Sequence, residues 1–132
     1  MIPILLVDDD PDEEELFNEA VEQVSGSIAL QAVQDGNQLR NYLDSGNTLP
    51  GIIFLDLNLP VISGWECLKF LKESPAYAQI PVVIYSTSSD NKDRLRAIEQ
   101  GANSYLTKPD SFDELVAAIA KILKAADYQV AG

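Results

Sequence analysis

Residues 4–15 read ILLVDDDPDEEE, an apolar run of strand type that ends on three successive aspartates. Residues 8–15 hold seven acidic side chains and one proline, and no Lys or Arg precedes Arg40. Pro11 suits the first turn of a helix, with Asp10 before it as cap and Glu13 three residues on as the partner of a capping box. The stretch therefore reads strand, tight turn, helix, with Asp8, Asp9 and Asp10 in the turn. Two ionised carboxylates about 4 Å apart repel by roughly 4 kcal/mol at an effective dielectric near ~20, so such a turn calls for a cation.

The same unit recurs along the chain. Apolar runs follow at 28–33 (IALQAV), 51–55 (GIIFL), 81–85 (PVVIY) and 104–106 (SYL). Segments of helical period lie between them. Their apolar faces are Leu16, Phe17, Ala20, Val21 and Val24; then Leu39, Tyr42 and Leu43; then Leu68, Phe70 and Leu71; then Leu95, Ile98 and Ala102; then Leu115, Ile119, Ile122 and Leu123. Asp35 and Ser111 stand as further N-caps, the latter with Glu114 three residues on, and Gly101 stands where a helix-ending glycine belongs. The middle strands are continuously apolar, as parallel strands covered on both faces must be. Right-handed crossovers then give an α/β fold, a doubly wound five-stranded parallel sheet flanked by five helices, with the flavodoxin-like order 2-1-3-4-5. Residues 1–132 read as one domain, with 126–132 expected to fray.

Composition narrows the function. The 46% apolar content is enough for a packed core. Net charge is −12, from 21 acids and 9 bases, which argues against nucleic acid and anionic membranes as direct partners. Nine of those acids fall in the first 22 residues. The lone Cys67 permits no intrachain disulfide and reads as a buried small hydrophobe. No apolar run approaches the ~20 residues of a membrane span, and a cytoplasmic location is expected. The absence of histidine removes His-based catalysis and His metal ligands.

In a doubly wound sheet the active crevice lies at the carboxyl ends of the strands, beside the reversal of strand order. Asp8, Asp9 and Asp10 follow the first strand, Asp56, Leu57 and Asn58 the third, Ser86, Thr87 and Ser88 the fourth, and Thr107, Lys108 and Pro109 the fifth. Oxygen ligands without Cys or His suit a hard ion, Mg²⁺ or Ca²⁺. Lys108, the one base that strand-end counting brings to this crevice, suits a phosphoryl oxygen or a carboxylate.

The blocks ILLVDDDPD, GIIFLDLNLPVISGWE, IPVVIYSTS and GANSYLTKP, in this order over about residues 3–125, resemble the receiver domains of two-component response regulators, of the chemotaxis-regulator type. The resemblance implies a stand-alone receiver. Asp56 would accept a phosphoryl group from a sensor histidine kinase or phosphotransfer protein. Asp8, Asp9, Asp56 and the backbone carbonyl of Asn58 would hold Mg²⁺, Asp9 directly and Asp8 through water or by shaping the site. Ser86 would be the switch hydroxyl, with Thr87 as the alternative register, Lys108 would pair with the acyl phosphate, and Tyr105 would be the switch aromatic. The Lys108–Pro109 bond is often cis in that family. Output would pass through the fourth helix, fifth strand and fifth helix, to a protein partner or to a second copy in a homodimer. Many receivers carry an aromatic after Lys-Pro; here Asp110 stands there and reads as the start of a helix cap. The stretch KESPAYAQIPVV resembles small stand-alone receivers, including those partnered with phytochrome-type kinases. The resemblance to stand-alone receivers implies that no output domain is expected after the fifth helix.

Three other readings fail on particular residues. Asp8, Asp10, Asp12 and Glu19 match positions of a calcium-binding EF-hand loop, but Glu13 stands where that loop requires glycine and a strand precedes it. A haloacid-dehalogenase-type phosphatase would want an acid two residues beyond its nucleophile, where Asn58 stands. A flavin carrier of this fold would place its Ser/Thr-rich phosphate loop after the first strand, whereas STSSD follows the fourth.

Overall fold

The structure is a computed structural model that describes residues 2–126. Five strands, β1 (Ile4–Val7), β2 (Leu30–Val33), β3 (Ile52–Leu55), β4 (Val82–Ser86) and β5 (Ser104–Thr107), form one parallel sheet in the order β2-β1-β3-β4-β5. The strands are joined by α1 (Pro11–Val24), α2 (Gly36–Asp44), α3 (Gly64–Glu73) and α4 (Asn91–Glu99), and α5 (Phe112–Ala125) follows β5. The three middle strands are buried along their whole length, whereas the edge strands β2 and β5 are largely half-buried. That is why β1, β3 and β4 are uninterrupted apolar runs and the edges are not.

Side chains alternate across the sheet. Leu5, Val7, Ile53, Leu55, Val82 and Ile84 pack against α2, α3 and α4. Ile4, Leu6, Ile52, Phe54, Val83 and Tyr85 pack against α1 and α5. The registers Val7↔Leu55 and Leu55↔Ile84 align the carboxyl ends of the three middle strands, which sets the next residues side by side.

The caps form where the sequence places them, but Glu13 does not close a box with Asp10, whose amide donates to Asp8 Oδ1 while Glu13 Oε2 accepts from the Tyr85 hydroxyl. Asp10 accepts from the Asp12 amide, Asp35 from Gln38 and Ser111 from Glu114, and Gly101 follows α4 with φ of 101°. Asp110 does not cap α5; that role falls to Ser111, and Asp110 is exposed. Two expected helix faces need correction. Leu16 is 43% exposed, and α1 packs through Phe17, Ala20, Val21 and Val24. On α4, Leu95 is 63% and Ile98 48% exposed, and Ala97 is the residue buried. At ~100° per residue Ala97 lies roughly 160° around the helix from Leu95, and the small side chain is the one that lets α4 approach the sheet. Of the expected frayed end, Ala126 caps α5, and residues 127–132 lie outside the described residues. Among the described residues, no helix is long and apolar enough to cross a membrane.

Candidate functional site

Asp8 follows β1 and Asp56 follows β3, and the Asp56 amide donates to the Val7 carbonyl at 3.0 Å, which draws the two strand ends together. Both carboxylates are buried, while Asp9 is exposed at the rim. One carboxylate oxygen from each of Asp8, Asp9 and Asp56 lies within 4.8 Å of the others. Lys108 reaches in from the end of β5, its Nζ 3.0 Å from Asp8 Oδ2 and 3.3 Å from Asp56 Oδ2. Its amide donates to the Ser86 carbonyl at 2.7 Å, which fixes the lysine to the end of β4. The described residues contain no cis peptide bond, so Lys108 makes these contacts with a trans bond to Pro109, a correction to the isomer the family resemblance suggested. Trans is the ordinary preference of an X-Pro bond, by about 0.5–1 kcal/mol.

The remaining oxygens are assigned to the backbone. Asp8 Oδ1 accepts from the Asp10 amide and Asp56 Oδ1 from the Asn58 amide, each at 3.0 Å. These bonds orient both carboxylates and leave Asp9 as the one whose oxygens take no hydrogen bond among the described residues. The β3–α3 loop returns closely over Asp56. Gly64 donates to the Leu57 carbonyl at 2.9 Å, and a Cβ on residue 64 would fall 2.2 Å from the Asp56 carbonyl oxygen. The same loop holds Val61 at φ of 66°, with its side chain 92% exposed.

Three carboxylates against one ammonium leave the cluster two negative charges in excess, which one divalent cation balances. All the donors are hard oxygens, so the set fits Mg²⁺ or a similar ion. Burial pushes the Asp56 carboxyl above the usual carboxylate range; the Asn58 amide and the Lys108 ammonium pull it down without cancelling the shift, and Asp8 adds to it. Burial pulls the Lys108 ammonium down, but Asp56 and Asp8 outweigh it and hold its pKa above the ordinary value. Shifted titratable groups of this kind cluster at functional sites.

Ser86 ends β4 fully buried, and its Oγ accepts from the Ser88 amide at 3.2 Å, whereas Thr87 is exposed. Tyr105 is half-buried and its hydroxyl donates to the Ser88 carbonyl at 2.8 Å. Ser88 is thus joined to both Ser86 and Tyr105, a link that strand-end counting did not supply. In the sequence Tyr85 stands only as part of an apolar strand. The signal available for it was the period-2 rule, which turns Tyr85 toward α1, away from the side taken by Ile84.

Residues 4–120 match the response regulator receiver domain. The chain is 36% identical over 123 residues to the probable methanogenesis regulatory protein FilR2 of Methanothrix harundinacea, a match that covers 90% of this chain and 79% of that protein. It spans about half the length of several other curated relatives that it matches. The phosphorylated cyanobacterial phytochrome response regulator RcpA superposes with a TM-score of 0.87 at 28% identity over 99% of each chain. The Mn²⁺-bound form of response regulator Rcp1 gives 0.86 at 28% identity over 100% of each chain. With its strand order, its acidic crevice and a match over nearly its whole length, the chain belongs to the response regulator receiver domain family of two-component signalling.

Proposed function

We propose that Asp56 accepts a phosphoryl group from the phosphohistidine of a sensor histidine kinase or phosphotransfer protein. The observation that carries this reading is the bridging of buried Asp56 and Asp8 by the Lys108 ammonium, with Asp9 in the same cluster. An Asp56 carboxylate oxygen attacks phosphorus, the P–N bond breaks, and its electron pair stays on the imidazole. The product is an acyl phosphate on Asp56. Asp8, Asp9, Asp56 and the Asn58 carbonyl are the groups that would hold Mg²⁺, which when bound supplies positive charge beside the phosphoryl oxygens. Lys108 moves from its carboxylate partners to a phosphoryl oxygen, and the buried Ser86 hydroxyl turns to another. The protein then acts on itself alone, as a phosphoacceptor and not as an enzyme of small phosphoesters.

On this reading it works in the cytoplasm and signals through α4, β5 and α5, either to a protein partner or in a homodimer. The exposed Leu95 and Ile98, among Lys92, Arg94 and Arg96 on α4, support a contact surface there. Intact-mass measurement after acetyl phosphate and Mg²⁺ tests the acceptor. Wild type should gain one phosphate and Asp56→Asn none, and undiminished labelling of the variant overturns the assignment. Steady release of phosphate from a small phosphoester would favour a phosphatase instead.

A further inference from the structure

Tyr85 precedes Ser86 on β4 and turns to the opposite side of the sheet, toward α1. Its ring is 1% exposed and packs edge-on against Phe17, with centroids 5.3 Å apart. Its hydroxyl donates to Glu13 Oε2, in the first turn of α1, at 3.4 Å. The Lys108 Nζ lies 5.1 Å from the centroid of the same ring, inside the ~6 Å reach of a cation–π contact. The ammonium therefore has three neighbours: the Asp8 carboxylate, the Asp56 carboxylate and the aromatic face. Leucine would keep an apolar side chain at this position, but it would offer the ammonium no negative face. Phenylalanine would keep that face and lose the tie to Glu13.

We propose that Tyr85 is a positioning residue for Lys108, its ring face holding the ammonium between Asp8 and Asp56 while Glu13 anchors the ring through its hydroxyl. The inference rests on the phosphoacceptor reading of Asp56. A lysine side chain carries a large rotamer entropy, and a cation that is already placed where phosphoryl charge arrives does not need to be ordered during transfer. The polar and charged neighbours of Tyr85 are Glu13 and Lys108, so its effect on the site passes through Lys108.

The test is the initial rate of acetyl phosphate labelling with Mg²⁺, read by intact mass, for Tyr85→Phe, Tyr85→Leu and Lys108→Ala and for the two double variants. Tyr85→Leu should be about tenfold slower than wild type and Tyr85→Phe about two- to threefold slower, with the Mg²⁺ midpoint of both unchanged. In the Lys108→Ala background neither change at residue 85 should slow labelling further, an outcome that a merely structural ring would not produce. Should Tyr85→Leu fail to fold, Tyr85→Met carries the same expectation. A wild-type rate in the Leu or Met variant, or the same fractional loss with and without Lys108, overturns the inference. Labelling of Asp56→Asn at the wild-type rate is the separate result that sinks the acceptor reading, and the inference with it.

Discussion

The Tyr105 hydroxyl donates to the Ser88 backbone carbonyl across 2.8 Å. Ser88 is held on two other sides, its amide by Ser86 Oγ at 3.2 Å and its own Oγ by Asp93 Oδ2 at 2.7 Å. Arg94 lies over the Tyr105 ring at 4.9 Å. Ser86, the β4–α4 loop and the aromatic of β5 thus form one connected chain. Drawing Ser86 Oγ toward a phosphoryl group removes the acceptor of the Ser88 amide and unsettles the partner of Tyr105. Tyr105→Ala is expected to accept phosphate on Asp56 normally and fail to pass the change on. Amide hydrogen exchange with beryllofluoride and Mg²⁺ checks this: residues 86–115 should respond in wild type and fall silent in the variant. The same response in both proteins rules out the relay.

Asp56 is a charge that the metal-free fold bears at a disadvantage. Its pKa is raised in the folded state, chiefly by burial. A carboxyl shifted this way adds stability below its unfolded pKa and loses that contribution as pH rises through the folded value. At neutral pH the ionised group is therefore destabilising, and Asp56→Asn should raise Tm, by about 4 °C if the gain is ~1 kcal/mol. Melting curves without metal, from pH 4 to 7, should show wild type falling further behind the variant as pH rises. A variant that melts below wild type at pH 7 contradicts this.

Divalent metal should reverse that order by mass action on the wild type. Asp9 belongs to the cluster with Asp8 and Asp56, whereas Asp12 is exposed on α1, its amide bonded to the Asp10 cap. Asp9→Ala is expected to weaken Mg²⁺ at least about tenfold, and Asp12→Ala to leave it unchanged. Trp65, at the start of α3 with Arg96 stacked 4.1 Å from its ring centroid, offers a fluorescence signal for the titration. Normal Mg²⁺ binding in Asp9→Ala makes the carboxylate cluster structural.

Val61 sits at φ of 66° and is 92% exposed, so a β-branched residue occupies left-handed backbone with no burial to offset it. Val61→Asn should stabilise the protein by about 1 kcal/mol, measured by urea unfolding, with no change in Mg²⁺ midpoint. A loss of stability would mean that the valine makes a contribution its exposure hides.

Much of this architecture is written locally. Uninterrupted runs such as IIFL and VVIYS mark strands covered on both sides, and strand-end counting collects Asp8, Asp9, Asp56, Ser86 and Lys108 because a parallel sheet aligns its carboxyl edge. What periodicity did not settle is which side of a short polar helix meets the sheet. On α4 the large residues Leu95 and Ile98 face outward and Ala97 faces in, since closeness of approach selects size as well as polarity. The bond from Lys108 to Asp8, across 100 positions of sequence, and the meeting of Ser88 with Tyr105 depend on loop paths that no local pattern encodes. Tyr85 was hidden for a different reason: a buried tyrosine at a strand end looks the same whether it fills space or faces a cation.

The contact between Gly64 and the Asp56 carbonyl has a consequence for loop design. The first residue of α3 rests on the main chain of Asp56 itself, with Leu57 Cα also only 2.5 Å from where a side chain would begin. The distance between α3 and Asp56 is thus limited by two stretches of backbone in direct contact. The exposed Pro60 and Val61 can then be exchanged, so long as the loop keeps its length, its packed Leu59 and Ile62, and the glycine at 64, and Asp56 should keep its place. A single methyl group at position 64 would act as a spacer under the helix and shift the whole crevice at once.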